Sequence, residues 1–261
     1  MENEQTKKLV RFNLIMGSLH FIQGLIMVFL ATSVIQTIAE FQPVITQNFL
    51  SFNTTTQSLE LASKELFTLP FGILVASFLF LSAIAHGIIA IPKKTREIYV
   101  SDLQKGINRF RWFEYALSSS VMIVLISTLF GIYDIASLLL IFGLNFIMNI
   151  FGLYMELMNQ NSDKIKWGSF VYGSIAGILP WVAILLYMFG TGSLDMIPWF
   201  VWAIVGTYFV AFNSFPVNMI LQYKKVGKWK DYLYGERVYI ILSLVAKTFL
   251  AWLVLFGAMQ P

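Results

Sequence analysis

Long apolar runs separated by short polar or Gly/Pro breaks dominate the chain. They predict seven helices, at about 11–33, 68–92, 108–131, 135–158, 168–190, 196–222 and 237–258. Each run is long enough, at about 1.5 Å per residue, to cross a hydrocarbon core of about 30 Å. One connection, 34–67, is longer and polar. Its TQNFLSFNTTTQ stretch alternates apolar and polar residues and predicts a small surface β-hairpin. The expected architecture is an all-α membrane protein, a single seven-transmembrane-helix domain over residues 1–261.

Composition agrees with the pattern. Of 261 residues, 57% are hydrophobic and 12% charged, against about a quarter charged in a soluble domain. The polar start, MENEQTKKLVRFN, precedes a run too long for a signal-peptide core, so a retained first helix is expected. With no Cys and two His, thiolate and histidine metal sites are not expected. Charge falls by topology rather than as a nucleic-acid surface: sixteen of the eighteen Lys and Arg lie in the N-terminal segment and the 2–3, 4–5 and 6–7 connections. Lys64 and Lys247 are the other two. This bias predicts a multi-pass protein of the cell membrane with its N-terminus in the cytoplasm and its C-terminus outside.

Lys247 interrupts the last apolar run, RVYIILSLVAKTFLAWLVLFG, near its middle. A central Lys costs about 2.5–3.5 kcal/mol on insertion scales, so it faces the bundle interior and has a partner. Snorkelling is a poor account, since either end lies about ten residues away. The remaining readings are a structural ion pair or an amine whose chemistry is used, either on an ion path or as a Schiff-base nucleophile. The third helix offers the anion in Glu114, and Lys247 leans towards it because helical side chains tilt to their own N-terminus. Ser118 lies one turn on from Glu114. The competing reading pairs Glu114 with Arg111 near the interface. His20 with Gln23, and His86 with Ser82, each share a helical face at similar depth. They read as a wet polar pocket or as packed core histidines. Asn145 and Asn149, with Glu156 beyond, suit helix-to-helix hydrogen bonding. The aromatic segment WFVWAIVGTYFVAF is dense enough to wall a flat apolar ligand.

The mid-helix Lys of a seventh helix and a carboxylate three residues after an Arg in the third resemble the retinal-binding rhodopsins. Asn108-Arg109-Phe110-Arg111-Trp112-Phe113-Glu114-Tyr115 through Ser118-Ser119-Ser120 resembles heliorhodopsins in particular. So does Tyr234-Gly235-Glu236-Arg237-Val238-Tyr239 running on to Ser243 and Ala246-Lys247-Thr248. His20, Ser82, His86 and Asn145 fit that family's pattern, as does a topology inverted relative to ordinary microbial rhodopsins. The resemblance implies all-trans retinal joined to Lys247 as a Schiff base, with Glu114 as counterion. It implies a retinal site that includes Ser82, Ser118, Ser243, Trp112 and Asn145, and a proton-accepting cavity of His20, Gln23 and His86. It further implies a homodimer touching through the first extracellular loop, and light sensing or signalling rather than pumping, through an undefined cytoplasmic partner; no enzymatic activity is expected.

Pumps of the related class carry an Asp four residues before the retinal Lys and a carboxylic donor eleven residues beyond the counterion. Here those positions are Ser243 and Leu125. The expected function is therefore a retinal photoreceptor that moves a proton transiently without pumping. Two readings stand beside it: a light-gated ion channel or transporter using the His20/His86/Glu114 cavity, and a retinal-free transporter or receptor with a structural Lys247–Glu114 pair.

Overall fold

A computed structural model describes residues 4–36, 40–162, 164–190, 195, 197 and 199–257. The expected helix start at 196, the helix end at 258 and loop positions 37–39 lie outside the described residues. Helix α1 (Glu4–Phe29) ends in a π-helical turn at Leu30–Val34. It is followed by the antiparallel hairpin β1 (Val44–Asn53) and β2 (Ser58–Thr68), then α2 (Phe71–Ala90), α3 (Lys93–Gln104), α4 (Arg109–Leu129) and α5 (Ile135–Asn159). Helix α6 (Gly168–Phe189), α7 (Trp199–Tyr223), a 3-10 turn at Gly227–Lys230 and α8 (Tyr232–Gly257) complete the order. Among the described residues seven helices are long and apolar enough to cross a membrane, α3 being the short exception.

The helix starts have local causes. Asn108 caps α4 by accepting from the Arg111 N–H at 3.1 Å, and Asp134 caps α5 by accepting from the Ser137 N–H at 2.9 Å. Asp134 also accepts from the Asn48 N–H, and the Thr46 N–H donates to the Tyr133 carbonyl, so the hairpin base is stitched onto the α4–α5 connection. The last helix packs back on α1 and α2, which closes the bundle.

Small residues let the helices approach. A Cβ on Gly17 of α1 would stand 2.7 Å from the His86 Cβ of α2, so the contact that holds His86 in place exists only with glycine there.

The sequence pattern gave no helix between the second and third spans, where the structure has α3. Its buried apolar face is three residues, Tyr99, Val100 and Leu103, packed with Leu9, Ile89 and Ile240. Lys93 and Lys94 are exposed on a basic face, and Arg96 is half-buried, with its Nη1 3.5 Å from the Ala90 carbonyl. Arg109 grips Asp102 at 2.8 and 2.7 Å and so ties α3 to the start of α4.

The interior divides along the bundle. Towards the hairpin it is an apolar core that includes Phe71, Val75, Leu79, Ile123, Ile126, Leu250 and Val254. Towards the basic end it is crowded with buried polar groups, among them Asn13, His20, His86, Asn108, Arg111, Glu156 and Glu236.

Candidate functional site

Lys247 of α8 lies where these halves meet. Its Nζ donates to Glu114 Oε1 of α4 at 2.7 Å and to Ser243 Oγ, one turn back on its own helix, at 2.9 Å. The side chains are 4% and 8% exposed. Ser82 of α2 donates to the same Glu114 oxygen at 2.6 Å. Three helices therefore converge on one carboxylate oxygen. A buried ion pair is stable only when such hydrogen bonds replace the lost water.

Arg111 does not compete for Glu114. Its guanidinium reaches Glu156 of α5 and Glu236 of α8 instead and lies over the Tyr239 ring, 3.9 Å from the centroid. Asn108 braces the same pair, with its backbone N–H on Glu156 at 2.9 Å and its side-chain Nδ2 on Glu236 at 2.8 Å. Trp112 Nε1 adds a third donor to Glu156, at 2.7 Å. The interfacial Arg111–Glu114 alternative is thereby overturned. In the sequence Glu236 stands out only as part of the seventh-helix motif, although it lies eleven residues, about three turns, before Lys247 on the same stripe of α8.

A cavity of about 330 Å³ runs from Lys247 between α4, α5, α6, α7 and α8. Its walls include Trp112, Tyr115, Trp181, Phe209 and Phe212. Trp181 meets Phe209 and Phe212 edge-on, at 5.8 and 5.6 Å between centroids. Trp112 seats its ring where Gly152 has no side chain: a Cβ there would fall 2.2 Å from the indole. The cavity suits a long, flat, apolar molecule with one carbonyl end, since aromatic walls lead to a single amine. Ser118 Oγ is buried in the wall of this space, one helical turn on from Glu114.

The expected site residues divide into groups. Lys247, Glu114, Ser82 and Ser243 are in direct contact. Trp112 and Ser118 line the large cavity. Asn145 is held by Ser119 and Ser120 at 2.7 and 3.1 Å, and of the two asparagines it is Asn149 that lines the cavity. His20 and His86 stack at 5.7 Å. Both ring nitrogens of His20 and the Gln23 Oε1 are buried without partners. From the WFVWAIVGTYFVAF segment, Phe209 and Phe212 line the cavity, whereas Trp202 stays half-exposed and Tyr208 donates to the Leu250 carbonyl.

A family model described as heliorhodopsin matches residues 9–259, nearly the whole chain. The chain belongs to the heliorhodopsin family. That membership makes it a retinal-binding rhodopsin photoreceptor and a multi-pass membrane protein. No curated protein matches the sequence.

Proposed function

We propose that this heliorhodopsin senses light through all-trans retinal held on Lys247, with Glu114 as counterion and with proton movement confined to the polar half of the bundle. The observation that carries this reading is the buried Lys247–Glu114 pair, with Lys247 in the wall of the aromatic cavity. When bound, retinal supplies a photoisomerisable polyene attached through a protonated imine nitrogen at Lys247. The protein's residues do the rest. Trp112, Trp181, Phe209 and Phe212 wall the polyene and exclude water. Glu114 Oε1, held by Ser82, keeps the proton at Lys247 Nζ in the dark. On the other side of Glu114 a cavity of about 30 Å³, room for one or two waters, is lined by Asn13, His86, Arg111 and Ser243. A proton leaving Nζ can enter it, with His20, Gln23 and His86 as the accepting region.

Pumping lacks its parts. Ser243 is a neutral hydrogen-bond partner of Lys247, and Leu125 is packed in the apolar core. The basic end, with Lys93, Lys94 and Arg96 on α3 and Lys224, Lys225, Lys228 and Lys230 near α8, belongs in the cytoplasm by charge bias. It is the face open to a signalling partner. On the hairpin, Leu50, Phe52, Leu59 and Leu61 form one exposed apolar face across paired positions, which suits a second copy of the chain. A monomer by native mass spectrometry in lipid discs would exclude that dimer.

Adding all-trans retinal to membranes that hold the protein should produce visible absorbance bleached by hydroxylamine, and Lys247→Ala should give none. A coloured, bleachable Lys247→Ala pigment would overturn the attachment. Voltage clamp under light should show no steady current, and a current persisting against the proton gradient would refute the sensor reading.

A further inference from the structure

Both histidines fall in the accepting region, but their surroundings differ. His20 has no hydrogen bond at either ring nitrogen. His86 Nδ1 meets Asn13 Oδ1 at 2.7 Å. The direction of that bond is fixed by what lies behind Asn13. Its Nδ2 is 2.9 Å from the Leu9 carbonyl, which can only accept, and 3.1 Å from the Tyr99 hydroxyl. The amide therefore cannot be flipped, and its oxygen must face His86. An amide oxygen cannot donate, so Nδ1 carries the hydrogen, and in the neutral ring Nε2 is left with the lone pair. His86 lines the small cavity together with Glu114 and Ser243.

We propose that Asn13, anchored by Leu9 and by Tyr99 of α3, is a positioning residue that fixes the His86 tautomer and makes Nε2 the atom that receives the proton. The inference rests on the retinal reading above for its proton source, though not for the tautomer. The transfer balances simply: the N–H bond at Lys247 breaks, a water in the small cavity passes the proton on, and an N–H bond forms at His86 Nε2. The ring becomes a cation whose Nδ1–H still donates to Asn13. Burial pushes the Tyr99 phenol up to about 12, so Tyr99 keeps its proton throughout. The same chain of contacts joins the site to α3 and its basic face.

Nitrogen-15 NMR of labelled histidine in the retinal-free protein reads the tautomer directly. With two histidines in the sequence, His20→Phe assigns the signals. His86 should be in the Nδ1–H form, and Asn13→Leu should shift it towards Nε2–H. With retinal bound, Asn13→Leu should slow the light-induced near-ultraviolet rise about tenfold, the worth of one buried hydrogen bond, while the dark spectrum stays. Tyr99→Phe, which leaves the Leu9 anchor, should slow it about twofold. A wild-type His86 in the Nε2–H or doubly protonated form would overturn the proposal even if Asn13→Leu fails to fold. So would an unchanged rise in a folded Asn13→Leu protein. Absence of any pigment would sink the retinal reading instead, and the tautomer measured without retinal would still decide this one.

Discussion

Two buried charge clusters stand on the same pair of helices, and they are built differently. Nearer the basic end, Arg111 is shared by Glu156 and Glu236, with Asn108 and Trp112 filling further lone pairs. Deeper in, Lys247 and Glu114 hold each other with one serine apiece, and a cavity opens on each side. The first cluster ties α4, α5 and α8 together with a cation that cannot lose its proton. The second uses an amine that can. Stable tethering and proton chemistry ask for different cations, and the chain places one of each.

Removing a charge from each cluster tests the contrast. Arg111→Met leaves two buried carboxylates without their cation and should destabilise the protein by about 3–5 kcal/mol, read as a loss of resistance to unfolding in mixed micelles. A variant that unfolds like the parent would show that the cluster does not hold the helices.

Glu114→Gln should behave otherwise. The partner left behind can shed its proton, so folding should weaken by no more than about 1–2 kcal/mol. The colour, by contrast, should move largely into the near-ultraviolet at neutral pH, unless chloride or another anion substitutes. Wild-type absorbance in chloride-free buffer would remove Glu114 from the counterion role.

Much of this was legible in the sequence, for a physical reason. A charge in the middle of a twenty-residue apolar run has no cheap explanation, so Lys247 pointed to itself and to the nearest buried carboxylate. The seven spans and the hairpin followed from run length and alternation. Arg111 was ambiguous because a position near a helix start leaves several carboxylates within reach, and a linear pattern cannot rank them. Asn145 and Asn149 lie one turn apart, so only packing decides which one lines the cavity. Asn13 and Tyr99 gave no signal. Each is an ordinary residue inside its helix, and their importance comes from meeting across 86 positions of chain.

The smallest effect belongs to a carboxylate outside both clusters. Asp134 caps α5 at the hairpin end with neutral donors and no cation. The Ser137 N–H foremost, then the Ser137 hydroxyl and the Asn48 and Ala136 N–H groups, hold it below the usual carboxylate range against a small cost of burial. A depressed value in the folded state means stabilisation that is complete above the unfolded value of about 3.9. It is lost as pH falls through the folded value. Asp134→Ala should cost about 1 kcal/mol at neutral pH, and the difference between variant and parent should shrink below about pH 4 as the parent's own cap is protonated. Colour should not change in either protein over the range where both stay folded, because Asp134 lies far from Lys247 along α4 and α5. Thermal unfolding followed at several pH values reads the cap, and absorbance reads the site. A spectral shift in Asp134→Ala would mean that the hairpin end and the charge clusters are coupled, and the separation drawn between tethering and proton chemistry would have to include the loop.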